Sequence, residues 1–391
     1  MEKVVVVAAK RTPIGSFGGS LSGFSAATLG SYVIKALIGE VGIANEAIEE
    51  VIMGQVLTAG DGQNPARQAA VKAGLSYNVP AYIVNQVCGS GLRAVALGFQ
   101  SIALGESRVS IVGGQENMSR SIHGACLRPP HKMGNVGLAD TMITDGLWDA
   151  FCDYHMGVTA ENIAKRWKIS RAEQDEFALW SQQKASYTQK NNHFAKQIVS
   201  LEVQERKKTF NFDADEYIRH EATLESLEKL KPAFDKKQGT VTAGNASGLN
   251  DGAAALLLMS EKEAFKNRLT PLCRVVSWAS CGVNPEVMGT GPIPSSHLAL
   301  KKANWQVGDL DLIEANEAFA AQAICVNREM GWDVSKVNVN GGAIALGHPI
   351  GASGARILVD LVHELSRKNL NKGLATLCVG GGMGVSVCVE R

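Results

Sequence analysis

Apolar residues in this chain fall in short, nearly continuous runs separated by amphipathic stretches. The runs cover residues 4–8, 51–57, 82–85, 108–112, 254–259, 312–314, 337–340, 374–379 and 385–389. Their length and their Val, Ile and Leu content predict β-strands. After Cys88, the residues Leu92, Val95, Ala96, Phe99, Ile102 and Ala103 repeat with helical period and stop near Gly105. After His348, the residues Ile357, Leu358, Leu361, Val362 and Leu365 do the same. Strands alternating with amphipathic helices predict an α/β fold.

The order of these signals repeats. In the first half one strand ends at Gln55, another just before Cys88, and a third runs into Gly113-Gly114. In the second half the counterparts are Asn316, His348 and Gly380-Gly381. Gln55 and Cys88 are 33 residues apart, against 32 for Asn316 and His348. The next spacing, 25 against 32, requires an insertion. An internal duplication follows, and it carries a functional expectation. Equivalent strand ends meet at a pseudo-two-fold interface, so Cys88 and His348 face each other.

Between the halves, residues 119–247 lose the glycine-rich strand pattern and turn to Met, Asp, Lys and Glu. A helix is predicted over about 170–191. The end of this stretch is basic, through Glu205-Arg206-Lys207-Lys208, Arg219, His220, Lys229, Lys231, Lys236 and Lys237. It reads as an inserted cap.

Composition narrows the class. The 391 residues are 45% apolar and 20% charged, with a formal net charge of +1. Such a balance gives nucleic acid or a membrane surface no electrostatic claim as the main partner. No apolar run approaches the roughly 20 residues of a membrane span, and residues 1–7 read as a strand rather than a signal peptide. The eight cysteines, at 88, 126, 152, 273, 281, 325, 378 and 388, form no C-x-x-C pair and no zinc-spaced cluster with histidine. No metal site is expected, and the setting is a reducing cytoplasm.

Three glycine-framed groups carry the chemistry: Cys88 in 85–91, His348 in 341–354, and Cys378 before Gly380-Gly381-Gly382. Cysteine attacks carbonyl carbon well and histidine is its usual base. Glycine leaves backbone N–H groups free to face a developing oxyanion. A single cysteine at a tight turn is as well explained by packing, but three such segments predict covalent catalysis on an acyl group. At a strand-to-helix turn, the helix N-terminus is expected to favour the Cys88 thiolate. Cys378 reads as a base, a resolving thiol or a core residue. Asn316, in Asn316-Glu317-Ala318-Phe319-Ala320, either polarises a carbonyl or caps a helix. His155 alone decides nothing, and the 242–252 run is compatible with a simple turn.

The chain resembles the thiolases, and within them the biosynthetic short-chain type. The motifs are N-Q-V-C-G-S-G at 85–91, T-A-G-N-A-S-G-L-N-D-G-A-A at 242–254, N-E-A-F-A at 316–320, G-G-A-I-A-L-G-H-P-I-G-A-S-G at 341–354 and C-V-G-G-G-M-G at 378–384. The resemblance implies two similar five-stranded α/β halves in a five-layer αβαβα stack with an inserted loop domain. Divided on that pattern, the first half is 1–118 with 248–270, the loop domain 119–247 and the second half 271–391. It also implies a homotetramer built as a dimer of dimers.

The implied reaction joins two acetyl-CoA into acetoacetyl-CoA and free CoA, with coenzyme A thioesters as substrates and no resident cofactor. Cys88 takes the acetyl group and His348 its proton. Cys378 removes a methyl proton from the second acetyl-CoA. Asn316, through a water, and His348 hold one oxyanion, and the N–H groups of Cys88 and Gly380 hold the other. Coenzyme A contacts map to Arg219, Ser226 and Ser247. His155 and Met156 border the thioester, and Phe319 and Met288 form an apolar wall. Three other readings compete: a degradative 3-ketoacyl-CoA thiolase of broader chain length, a ketoacyl-carrier-protein synthase, and an inactive lipid-binding or scaffolding relative. Cys378, where the synthases carry His or Asn, disfavours the second. The four reactive residues together disfavour the third.

Overall fold

Strand formation begins immediately in the computed structural model, which describes residues 2–128, 132–205 and 208–391. The main strands are β1 (Val4–Arg11), β2 (Glu50–Gly54), β3 (Ala81–Val84), β4 (Val109–Asn117), β5 (Asn250–Ser260), β6 (Cys273–Gly282), β7 (Leu312–Ala315), β8 (Lys372–Val379) and β9 (Met383–Glu390). They lie in the order β7-β8-β9-β6-β1-β5-β4-β2-β3. β3, β2 and β4 run parallel, and β5 and β1 follow antiparallel. The second half repeats this sense, with β7 and β8 parallel and β9 and β6 antiparallel.

The first strand of each half is where the halves meet. β1 and β6 pair antiparallel with Val4 opposite Val275, Val5 opposite Arg274 and Val6 opposite Cys273. One hydrogen-bonded path therefore links both halves. Alternation along β1 then sorts the layers. Val4 and Val6 face a central core, while Val5 and Val7 face an outer one.

The central core is built around α3 (Ser90–Leu104) and α8 (Ile350–Lys368), the two helices that follow the Cys88 and His348 segments. They pack on each other and touch strands of both halves. Close crossing is required here: a Cβ on Gly91 would crowd the Ala355 backbone, and one on Gly354 would crowd Leu92. Outside, α1 (Ala26–Val41) and α2 (Pro65–Lys72) cover the first half, and α6 (Pro292–Ala303) and α7 (Ala320–Met330) cover the second. The chain leaves the sheet at Asn117 and returns at Asn250. Between them lie α4 (Met156–Trp167), α5 (Arg171–Lys190) and a hairpin of Leu201–Glu205 with Lys208–Phe212.

Some sequence expectations need correction. The run at 337–340 is not a strand. Val337 alone bridges Ile313, because the Asn338 side chain takes over the pairing. Its Oδ1 accepts from the Ala315 N–H at 2.8 Å and its Nδ2 donates to the Ala315 carbonyl at 2.7 Å. His348 therefore follows a single helical turn, Ala343–Leu346, and not a strand end. Gly113-Gly114 lies inside β4, which runs on to Asn117. A Cβ on Gly114 would collide with the Gly351 carbonyl at the start of α8, so glycine there reflects a close approach. Finally, the window Val87–Leu104 is long and apolar enough for a membrane span by composition, with mean hydropathy 1.3 over 18 residues. Its apolarity belongs to the central core, where Leu92, Val95 and Ile102 are fully buried.

Candidate active site

A cavity of about 330 Å³ opens where the starts of α3 and α8 converge. Cys88, His348 and Gly380 line it together with His155, Met156, Ser247, Met288 and Phe319. The other groups predicted from sequence sit differently. Cys378 and Asn316 are buried behind the wall, the former packed with Met156, Met288 and Phe319. Arg219 lines a separate surface depression with His220, Tyr187 and Lys190. Ser226 is exposed, its hydroxyl committed to the capping box with Thr223. In the basic run, Arg206 and Lys207 lie outside the described residues.

Cys88 sits in a tight turn after β3. Gly89 N–H donates to the Gln86 carbonyl at 2.9 Å and Ser90 N–H to the Val87 carbonyl at 3.1 Å. Val87 has φ +45°, a left-handed conformation that strains a β-branched residue by about 1–3 kcal/mol. The backbone N–H groups of Cys88 itself and of Gly380 act to lower the Cys88 thiol, but they do not produce a resting thiolate. Burial pushes the thiol up to about 11, with the charge of Glu116 adding to it and the two N–H groups only partly opposing it. The expected dipole effect loses to desolvation.

His348 is buried and its imidazole is held neutral. Burial, then the Arg356 charge, lowers it to about 3. Its tautomer follows from its partners. Ser353 Oγ donates its single proton to the Pro349 carbonyl at 2.8 Å. The 2.6 Å contact between Ser353 Oγ and His348 Nδ1 therefore has Nδ1–H as the donor. Nε2 is left as a bare lone pair, buried and without a hydrogen-bond partner, on a residue that lines the cavity. The backbone is fixed as well, since His348 N–H donates to Asn250 Oδ1 at 2.9 Å.

Cys378 lies at the end of β8, and burial, reinforced by the nearby Cys88, raises its thiol well above the usual range. Asn316 does not cap a helix. Its Oδ1 accepts from Arg356 at 3.2 Å and its Nδ2 lies 3.5 Å from His348 Nδ1. Glu317 ties three segments together by accepting from Ser181 at 2.7 Å, Asn338 at 2.8 Å and the Ile344 N–H at 3.2 Å. The 242–252 run is more than a turn. Ser247 N–H donates to the Ala318 carbonyl and Ala320 N–H to the Asn245 carbonyl, which joins the run to the 316–320 motif. His155 Nδ1 accepts from Gly157 N–H at 3.0 Å and the ring stacks on Phe234 with centroids 4.7 Å apart.

The sequence reading missed Phe234, Met118, Met142 and Leu147 in the cavity wall, and Ser353, Arg356, Asn250 and Glu116 behind it. Glu116 accepts from the Val56, Leu57 and Gly351 N–H groups, which fastens the Gln55 loop to the start of α8.

A thiol and a neutral imidazole that line one apolar cavity point to a cysteine-dependent acyltransferase. Residues 4–262 match the thiolase N-terminal domain and residues 269–391 the thiolase C-terminal domain. The chain belongs to the thiolase family. It is 61% identical over 391 residues to an acetyl-CoA acetyltransferase of Paracoccus denitrificans, covering 100% of both chains. The crystal structure of the Bacillus anthracis acetyl-CoA acetyltransferase superposes with a TM-score of 0.97 at 44% identity, covering 100% of this chain and 99% of that one. Human mitochondrial 3-ketoacyl-CoA thiolase also superposes at 0.97, with 42% identity and the same coverage.

Proposed function

We propose that this enzyme is an acetyl-CoA C-acetyltransferase, which condenses two acetyl-CoA reversibly into acetoacetyl-CoA and CoA through an acetyl-cysteine. The observation that carries the reading is that Cys88 and His348 line one cavity, with the buried His348 Nε2 free of any hydrogen-bond partner. Relatives named for this activity at about 60% identity support it. Fold does not separate it from the broader 3-ketoacyl-CoA thiolases, since both structures superpose equally well.

The steps follow from the protonation states. With the thiol near 11 and the imidazole near 3, both groups rest neutral. The proton passes to Nε2 only as Cys88 sulfur attacks the acetyl carbonyl, and the tetrahedral oxyanion lies at the Cys88 and Gly380 N–H groups. As the carbonyl re-forms, CoA leaves and takes the Cys378 proton. That leaves a Cys378 thiolate whose burial makes it unusually basic, as a carbon-acid base must be. It removes a methyl proton from the second acetyl-CoA. The enolate oxygen is held by His348 Nε2–H and, through a water, by the Asn316 amide. The enolate carbon attacks the acetyl-cysteine, Cys88 departs, and its sulfur recovers the proton from His348. Every proton and sulfur returns to its starting state without a resident cofactor or metal.

Ser247, His155 and Met156 accommodate the pantetheine and thioester, with Met288 and Phe319 as the apolar wall; Arg219 and Ser226 take the nucleotide end. The reactive thiols fit a reducing cytoplasm. Exposed apolar side chains at Ile122, Leu127, Leu138, Trp148 and Phe151 support assembly into a dimer of dimers.

Two outcomes follow directly. Cleavage of 3-ketoacyl-CoA substrates of increasing chain length is expected to be fastest with acetoacetyl-CoA and to fall steeply beyond it. Comparable rates with long chains favour the degradative reading instead. Ser353→Ala is expected to slow acetyl transfer about fivefold, because the Nδ1–H loses a bond of roughly 1 kcal/mol that fixes the reactive tautomer. Ser353→Thr keeps the hydroxyl and most of the rate. An unchanged rate in the alanine variant contradicts the tautomer assignment.

A further inference from the structure

We propose that Arg356 is a positioning residue for the condensation step, fixing which end of the Asn316 amide faces the reacting thioester. The inference rests on the reading that Asn316 holds the enolate oxygen through a water.

An asparagine amide has two ends of nearly equal size, so its orientation is decided by its partners. A guanidinium only donates. The 3.2 Å bond from Arg356 Nη2 therefore requires Oδ1 on the Arg356 side and turns Nδ2 toward His348. Without that bond, a flipped amide presents an acceptor to a developing oxyanion, which repels where the native end attracts.

Arg356 is itself tightly held. It lies on α8, three residues after Ser353, so one face of this helix supports both His348 and Asn316. Its Nη1 donates to Asp360 Oδ2 at 2.9 Å. The other Asp360 oxygen accepts from Arg11 Nε at 3.2 Å, and Arg11 grips Asp215 with two bonds of 2.7 and 2.9 Å. Arg11, Asp215, Arg356 and Asp360 are all buried. They balance as two cations and two anions. The fifth group, Glu314, is 3.7 Å from Arg356 Nη1, and burial with the Asp360 charge pushes its carboxyl well up. Apolar packing of the same volume is commonly at least as stable as a buried ionic cluster. The arrangement makes sense where a rigid donor is needed behind Asn316.

The test measures two half-reactions in Arg356→Met, Asn316→Ala and the double variant: acetylation of Cys88 by acetyl-CoA, and steady-state condensation. Because the Arg356 charge also lowers His348, Arg356→Met is expected to shift the acetylation rate modestly, to keep KM within about twofold, and to lose about 10- to 100-fold more in condensation kcat than in acetylation. Added to Asn316→Ala, it is expected to cost less than about twofold more, because the two residues act as one unit. Wild-type condensation in Arg356→Met alongside a slow Asn316→Ala overturns this proposal and leaves the Asn316 reading intact. Full additivity in the double variant overturns it as well. Wild-type condensation in Asn316→Ala overturns both. Arg356→Lys preserves the charge opposite Asp360 but lacks the fork that also reaches Asn316. If the methionine variant does not fold, the lysine variant is expected to show the same split, and equal loss in both half-reactions overturns the proposal.

Discussion

Cys88→Ala is expected to abolish acetyl transfer, with loss on the order of 10⁶ in kcat, the scale seen when a covalent nucleophile is removed. Nothing else in the cavity replaces it. Cys378 is a nearby thiol, but it is buried behind the wall and pushed well above the usual range. The binding surface is left intact, because Gly380, Met156, Met288 and Phe319 belong to other segments. Acetyl-CoA affinity is therefore expected to change little. Measuring incorporation of labelled acetyl and the cleavage of acetoacetyl-CoA checks this, and substantial turnover by the alanine variant contradicts the role of Cys88. Cys88→Ser is expected to be nearly as inactive. A hydroxyl is far harder to deprotonate than a thiol, and His348, lowered to about 3, is too weak a base to compensate.

The second large effect separates the two thiols. Cys378→Ala is expected to become acetylated on Cys88 yet lose condensation by about 10⁴, the upper range for removal of a general base. Acetylation survives because CoA is a tolerable thiolate leaving group near neutral pH. Condensation fails because only a strong base close to the methyl group can take a carbon-bound proton. A burst of one acetyl group per chain followed by no acetoacetyl-CoA is the expected trace. Normal condensation by this variant contradicts the assignment of Cys378, whereas absence of the burst contradicts the separation of roles.

Much of this arrangement was legible along the chain because its cues are local. Buried strands such as β5 and β8 read as continuous apolar runs, and α3 and α8 declared their helical period and their glycine-framed starts. Cys88 and His348, matched by the repeat order of turns, line one cavity, although His348 does not follow a strand end. β6 went unread because its partly exposed positions include Val276 and Trp278, so alternation of burial is not mirrored by alternation of residue type. The strand expected at 337–340 dissolved into one bridge because a side chain, Asn338, supplied the ladder bonds. Ser353 and Arg356 were invisible for a related reason. Each acts on a residue brought near by the fold, His348 in the turn before α8 and Asn316 beyond β7, and no periodicity records such a contact. The electrostatics reversed one expectation altogether. The helix start favours a Cys88 thiolate, but only the three-dimensional structure shows how much water the site excludes, and burial prevails.

The neutral resting pair makes a demand on His348 that a preformed thiolate would not. The imidazole must accept its proton during the attack, at the one nitrogen left free by Ser353. Its replacement is therefore expected to slow the first half-reaction as well as the second.

The most direct measurement is to mix the protein briefly with isotopically labelled acetyl-CoA, quench it in acid and locate the label by mass spectrometry of the peptides. One acetyl group on the sulfur of residue 88, discharged when CoA is added back, is the result this account predicts. Label on residue 378 or on any other side chain, or an active protein that never carries label, would contradict it.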